Sequence, residues 1–477
     1  MGSLRKKILY GVFWQGLEKV GSQGISFVIS VVLARLLDPE DFGVIALMMV
    51  FIALCNVVMD SGFSNALIQK QHATKTDFCS VFFINIALGV ALYVTMFFAA
   101  PWIAGFYGSS ELTLYLRVSS LALVITSFSR VQQAYLYKNM LFHLSFRISW
   151  IVLLVSGTAG IVMAYCGCGV WSLIVQQLCN AAAQCLLLWL FVKWRPMWLF
   201  DWPRAKSLFK FGWKFLVSSF LDTLYKDIYS VVIGKISNLT SLAYYNRGKA
   251  IPALGMGVIN TTVGSVLFPA FSQLQDSRAK MRELAKRGIR NIMFLVIPAL
   301  TLLFVLAEPL VRVLLTEKWL SCVIYLQLCC ISFFYWPLHT TNLQIISACG
   351  RSDVFLLLEI IKKVQAVVVI ILTYRYGVVT MVAAGAAMGI VNFFENAWFN
   401  RKLIHYPPWR QLWDILPLLL VATIAGAGVF FGVRFIASPW GKLLAGGGAF
   451  VVLYLAGVVL LGQLPVDIIN LLKHRRN

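Results

Sequence analysis

The strongest constraint on this chain is the recurrence of long apolar stretches that contain no acidic or basic residue. Residues 42–59, 78–110 and 319–350 hold no Asp, Glu, Lys or Arg. A helix needs about 20 mostly apolar residues to cross the hydrocarbon of a bilayer, and these runs are that long or nearly so. With 60% hydrophobic residues and a mean hydropathy of +0.81, a water-soluble fold would expose large apolar patches. The fold class that follows is all-α, a polytopic membrane protein.

Reading the runs against their breakers places spans near 12–33, 42–66, 78–99, 116–135, 147–165 and 170–192. A polar, basic connector follows at 193–210, and then spans near 211–234, 243–268, 290–307, 322–347, 355–374, 378–400, 412–434 and 442–462. The total is about fourteen transmembrane helices. The expected division is a bundle of six over 1–192, the connector, a second bundle of six over 211–400, and two extra helices with a basic tail over 401–477. The N-terminal stretch has no cleavage-site pattern and reads as an uncleaved first span.

Charge tests that count. Every second connector is basic: Arg5, Lys6 and Lys7, then Lys70 and Lys75, Lys138 and Arg147, six basic residues from Lys193 to Lys214, the 278–290 cluster, Arg401 with Lys402 and Arg410, and the tail Lys473, Arg475 and Arg476. The alternate loops are poor in Lys and Arg, so both termini are expected in the cytoplasm. A net charge of +22 is then a matter of orientation, and a nucleic-acid partner is excluded. Most of the cysteines fall in apolar runs without metal-ligand spacing, and CGCG at 166–169 reads as a tight turn. No metal and no resident cofactor are expected.

Short polar knots separate the spans. In LARLLDPEDFG at 33–43, Pro39 stops one helix and Gly43 lets the next pack closely. Placed 200 positions on, VVIGKISNLTSLA at 231–243 repeats the build of VVLARLLDPEDFG at 31–43. Two halves related by duplication, each of about six spans, are a common transporter plan.

Taken with DSGFSNALIQKQHATKTDF (60–78), APWIAGFYGSSEL (100–112), IGKISNLTSLAYYNRGKAIPALG (233–255), VLFPAFSQLQDSRAKMREL (266–284), LLTEKWLSCVIYLQL (314–328) and ACGRSD (348–353), that stretch resembles the polysaccharide transporter branch of the multidrug, oligosaccharidyl-lipid and polysaccharide exporter superfamily. Ala243 stands where such proteins more often carry Gly. The resemblance implies two six-helix bundles around a central cavity plus two C-terminal helices. It also implies a flippase that moves an undecaprenyl-pyrophosphate-linked oligosaccharide across the bacterial inner membrane by alternating access, for lipopolysaccharide, capsule or exopolysaccharide. The partners expected are that lipid-linked oligosaccharide, membrane lipid and other polysaccharide-assembly proteins.

Ionisable residues inside spans are costly and mark functional candidates. In the seventh span Asp222, Tyr225, Lys226 and Tyr229 share a face, where an ammonium and aromatic rings suit a phosphate and sugars together. The alternative is an Asp222–Lys226 pair that neutralises itself. Arg130 is a phosphate candidate because a guanidinium holds two oxygens at once; the alternative is snorkelling to the interface. Arg247 either meets the ligand at the outer mouth or anchors at headgroup level. Glu18, Asp60 and Glu395 are candidates for exchanging a proton or sodium ion, the alternative being a basic neighbour for each. Gln15, Glu18, Ser22 and Ser26 form one polar stripe on the first span, with Lys19 at its edge. His339 reads as a packed, hydrogen-bonded imidazole, and 275–290 as a basic amphipathic helix on the membrane surface.

The rival transport reading is an ion-coupled drug or metabolite exporter, which calls for a small apolar pocket with an acidic residue. A membrane glycosyltransferase or polymerase calls for a large polar loop, and no loop here exceeds about twenty residues. The chain is therefore read as a transporter, not an enzyme.

Overall fold

The computed structural model describes residues 2–463 apart from 61, 71 and 276. The tail residues Lys473, Arg475 and Arg476 lie outside the described residues. Everything regular in it is helix, and it divides into two compact units, Met1–Ala243 and Tyr244–Asn477.

Unit 1 runs through α1 (Gly2–Leu36), α2 (Pro39–Asp60), α3 (Phe63–Gln69), α4 (Lys75–Tyr107), α5 (Leu112–Ser119), α6 (Leu121–Ser127), α7 (Arg130–Lys138), α8 (Phe142–Tyr165), α9 (Val170–Phe191) and α10 (Trp202–Ile236). The division between units falls in α11 (Leu239–Gln273). Unit 2 continues with α12 (Arg278–Val305), α13 (Ala307–Leu315), α14 (Val323–Phe334), α15 (Trp336–Ala348), α16 (Ser352–Thr373), α17 (Val378–Ile404), α18 (Pro408–Gly432) and α19 (Pro439–Leu460).

Ten helical segments among the described residues are long and apolar enough to cross a membrane, or eleven if the bent pair 112–127 and 130–138 is one span. Only 17–39% of each apolar window is buried in protein, so the remaining apolar faces must meet lipid. Trp102, Ile424 and Leu460 are examples of such outward side chains. Helices α10, α11 and α16 are also long enough to cross; α10 carries charged residues along its length, α16 in its first half, and α11 only Arg247 and Lys249 near its start.

In unit 1, α8 packs on α1 and α9, while α10 packs on α2, α3 and α4. Two glycines make these crossings possible. A Cβ on Gly43 would lie 1.9 Å from the Leu239 carbonyl oxygen, and one on Gly62, whose φ is +70°, 2.2 Å from the Gly212 oxygen. Only a residue without a side chain allows backbones that close. The knot at 37–41 also folds as a helix stop and start: Asp41, inside the first turn of α2, accepts from the Asp38 amide at 3.1 Å. Gly167 and Gly169 adopt φ of +75° and +51°, which makes 166–169 the tight turn its glycines suggest.

Three expectations need revision. The span expected at 116–135 is built from α5, α6 and α7, with a 44° bend before Arg130. The hydroxyls of Thr126, Ser127 and Ser129 bond back to carbonyls three or four residues earlier and compete with the helix ladder there. The span expected at 322–347 is one crossing segment but longer, from Glu317 to Ala348, with a one-residue irregularity at Tyr335 just before Pro337. The basic stretch 275–290 is not a separate surface helix. From Arg278 it is continuous with the span, and its apolar stripe Met281, Ala285, Ile289 and Met293 is buried in protein rather than offered to lipid.

Candidate functional site

Unit 1 contains two polar hollows, and the short helix α7 touches both. Its Val131 and Ala134 are buried in the apolar cluster with Phe78, Phe82 and Trp194. Its last residue, Lys138, donates to the Leu67 carbonyl at 2.6 Å and to that of Lys70. Nearby, Asp77 caps α4 through Thr74 and pairs with Lys70 at 2.9 Å, and Arg204 reaches Thr74. Charge-assisted bonds of this kind contribute about 1.5–3 kcal/mol each, so the ends of α3, α4, α7 and α10 are held together firmly. With one face of α7 fixed in the core, Arg130 turns to the other.

The first hollow, about 250 Å³, lies where α2, α7 and α10 meet and is lined by Asn56, Asp60, Arg130 and Ser219. Arg130 donates from Nη2 to the Asn56 side-chain oxygen at 2.6 Å. Its Nε is buried and has no acceptor among the described residues. Asp60 accepts from the Ser64 hydroxyl at 2.5 Å. Arg130 also opens α7, so the positive end of that helix's dipole lies beside its guanidinium. Broken membrane helices present such termini to anionic groups.

The second hollow, about 700 Å³, is lined by α1, α8, α9 and Tyr137 of α7. The stripe Gln15, Glu18, Ser22 and Ser26 faces it, joined by Gln23, Ser149, Asn180 and Gln184. Glu18 is held by two hydroxyl donors, Ser145 at 3.0 Å and Ser149 at 2.8 Å. Amides, hydroxyls and an aromatic ring in one cleft suit the hydroxyls and apolar faces of a sugar. Arg130 and Tyr137 are seven residues apart, on one side of α7 and separated by about 10 Å.

The other candidates are dispersed. On α10, Ser219, Asp222 and Lys226 follow one helical face, with Lys226 about 10 Å along the axis from Ser219. Asp222 and Lys226 are exposed there, and Tyr225 and Tyr229 are half-buried. In unit 2, the Arg247 guanidinium sits 5.3 Å from the centre of the Trp319 ring. Glu395 accepts from the Gln365 amide, while its other oxygen and the Gln365 carbonyl oxygen are buried acceptors without a donor among the described residues. His339 meets the Asn396 side chain at 3.2 Å, as a packed imidazole should.

The sequence reading missed Asn56, Ser149, Asn180 and Gln184. Asn56 carried a signal, because it stands one helical turn before Asp60 in an otherwise apolar helix. The other three become polar neighbours of α1 only through the packing of α8 and α9.

With this geometry in hand, the comparison with known proteins is decisive. A model of the polysaccharide biosynthesis protein family matches residues 32–324, more than half of the chain. The chain belongs to that family. The matched region includes Asp60, Arg130, Lys226 and Arg247 and leaves out Glu18 and Glu395. Among family-like relatives, the lipopolysaccharide biosynthesis protein WzxC of Escherichia coli (strain K12) is 24% identical over 97% of this chain and 90% of its own length. The succinoglycan biosynthesis transport protein ExoT of Rhizobium meliloti (strain 1021) is 26% identical over 66% of this chain, a match spanning 64% of ExoT. In fold, the chain is similar to the lipid II flippase MurJ in an inward closed conformation, with a TM-score of 0.77 at 15% identity over 96% of this chain and all of that one. A MATE family transporter in an inward-facing conformation follows at 0.64 and 17% identity, covering 80% of this chain and 94% of its own. Family and apolar helices together make this a multi-pass membrane protein of polysaccharide biosynthesis.

Proposed function

We propose that this protein flips an undecaprenyl-pyrophosphate-linked oligosaccharide across the bacterial inner membrane by alternating access, for assembly of a surface polysaccharide. The observation that carries the reading is the pair of polar hollows on one side of α7. The smaller suits a pyrophosphate, because the Arg130 guanidinium lines it and α7 begins at that residue. The larger, rich in amides and hydroxyls, suits the first sugars. Their separation of about 10 Å along α7 lets one ligand enter both. Asp60 moderates the site rather than abolishing it, because Ser64 occupies one of its oxygens and Asn56, a neutral amide, holds Arg130.

Lys226, Asp222, Tyr225 and Tyr229 then extend the path along α10, and Arg247 is a further substrate-contact candidate in unit 2. The membrane is crossed fourteen times, with α10, α11 and α16 as the polar crossings and both termini in the cytoplasm. The bundles take the boundaries 1–192 and 211–400, with 401–477 as the added pair and tail. Of Glu18, Asp60 and Glu395, the last is favoured as the coupling group. A proton on Glu395 supplies the donor that its own free oxygen and the Gln365 carbonyl lack. The work is transport and not catalysis. The partners are the lipid-linked donor, membrane lipid and other assembly proteins.

Deleting the gene in its host tests the reading. Lipid-linked oligosaccharide should accumulate on the cytoplasmic leaflet, protected from membrane-impermeant labelling in intact spheroplasts, and surface polymer should fall. Full labelling with normal polymer would contradict it. The drug-exporter alternative has one observation in its favour, an apolar groove in unit 2, and that groove has its own explanation.

A further inference from the structure

Unit 2 carries a groove of about 530 Å³ between α12, α14 and α18, walled by Thr301, Phe304, Ile331, Phe334 and Thr423. At the end where α12 stops it runs into a second hollow of about 540 Å³, and Val305, Gln327 and Phe430 line both. Each is within the size range of small-molecule sites, about 300–1,000 Å³. The two have opposite character. The first is almost wholly apolar, whereas the second is lined by Glu308, Arg312, Arg434 and Lys442.

The charges at that mouth are unequal. Arg312 pairs with both Glu308 at 3.1 Å and Glu317 at 2.7 Å, a triad of net charge −1, so Arg434 and Lys442 leave the mouth with a net charge of +1. Arg434 lies 4.7 Å from the centre of the Phe430 ring, a cation–π contact that orients it but leaves its charge in place. Neither Arg434 nor Lys442 has an acidic partner among the described residues. Depth is marked as well: Phe435 is 92% exposed and Trp440 60%, and aromatic side chains exposed beside cations are typical of headgroup level. An apolar slot that opens onto a net-positive mouth at the interface has the build of a receptor for an anionic amphiphile.

We propose that this groove binds an anionic phospholipid, with one acyl chain along α12, α14 and α18 and the phosphate between Arg434 and Lys442. The slot alone accepts any acyl chain, so preference for charge comes from the mouth. The lipid seals the seam between α18 and the helices it packs on, and makes resident lipid a component of the folded unit. The inference does not depend on what the protein transports.

The test uses the full-length protein in nanodiscs of equal phosphatidylcholine and phosphatidylglycerol, transferred to detergent and examined by native mass spectrometry. One phosphatidylglycerol should be retained with at least tenfold enrichment over phosphatidylcholine. The double variant Arg434→Gln/Lys442→Gln should lower the enrichment below twofold while a lipid is still carried. Ala427→Trp, on an exposed position of the groove, should displace the lipid whatever its headgroup, with the melting temperature of each variant confirming its fold. Equal retention of the two lipids, unchanged enrichment in the double variant, or undiminished retention in Ala427→Trp overturns the proposal. So does displacement of phosphatidylglycerol by an equimolar polyisoprenyl phosphate, which would assign the groove to the carrier lipid. Retention is read on resting protein without donor, so its failure leaves the transport reading untouched.

Discussion

Arg130 in unit 1 and Asn342 in unit 2 are both polar side chains inside membrane-crossing segments, and the two are treated in opposite ways. Asn342 donates to Gln411 at 2.9 Å and accepts from Gln411 at 2.9 Å and Asn400 at 2.6 Å, with all three side chains fully buried. The knot ties α15 to α17 and α18 and continues outward through Tyr406, whose hydroxyl donates to Asp414 at 2.7 Å, and through the Lys286–Asp414 pair at 2.8 Å. Burial, and then the Asp414 carboxylate that accepts its proton, hold the Tyr406 hydroxyl well above its ordinary pKa. Arg130 has one neutral partner, an unsatisfied Nε and a hollow in front of it. Polar groups at membrane depth must be satisfied somewhere. Where they satisfy each other, as Asn342 and Gln411 do although the Asn400 Oδ1 beside them finds no donor among the described residues, they fix architecture, here the docking of an added helix; where they line a hollow they are available to a ligand.

The difference can be broken from either side. Arg130→Ala should reduce flipping about tenfold to a hundredfold, the loss of a charge-assisted contact of about 1.5–3 kcal/mol. Its melting temperature should fall only modestly, since the one partner left without its donor is the half-buried, neutral Asn56 and the change enlarges a hollow. A stable protein with undiminished flipping would remove Arg130 from the site. Gln411→Leu should do the reverse. It leaves Asn342 without its reciprocal partner and should cost about 1–3 kcal/mol in chemical or thermal unfolding, with flipping per folded molecule within twofold of wild type. A transport defect at full stability would show that the knot moves during the cycle.

Asn180→Ala sharpens the comparison on the sugar side. It removes one neutral donor from the larger hollow, so flipping should fall about threefold, within the range of one ordinary hydrogen bond, without loss of stability. Lys286→Ala should have the smallest effect. Its partner Asp414 is 18% exposed and the lysine 46%, and a pair this open contributes under about 1 kcal/mol. A larger drop in melting temperature would mean that the ion pair is part of the knot and not its fringe.

Sequence made some of this arrangement visible and hid the rest for identifiable reasons. Charge-free runs are long-range averages, so spans were legible; so was the α1 stripe, whose members recur at helical spacing within one helix. The break before Arg130 has no Pro or Gly and rests on three hydroxyls that each bond to nearby carbonyls, a weak signal in a run rich in small polar residues. The partners Ser149, Asn180 and Gln184 depend on which helices pack together. So does the placement of α10 against α2 through Gly62 and Gly212. Lys226 and Arg130 are both phosphate candidates by sequence, and α10 sets Lys226 about two turns beyond Ser219 of the Arg130 hollow, a separation that only the packing of α2 and α10 reveals.

The central claim is that unit 1 presents a pyrophosphate and sugar path that a lipid-linked oligosaccharide uses to cross the membrane. Reconstituting the purified protein with the host's lipid-linked oligosaccharide, and following access of an external sugar-modifying enzyme, tests it most directly. The account predicts protein-dependent access that falls at least tenfold in Arg130→Ala. Authentic donor left inaccessible in vesicles that hold well-folded protein, together with protein-dependent efflux of a small cationic drug, would contradict it.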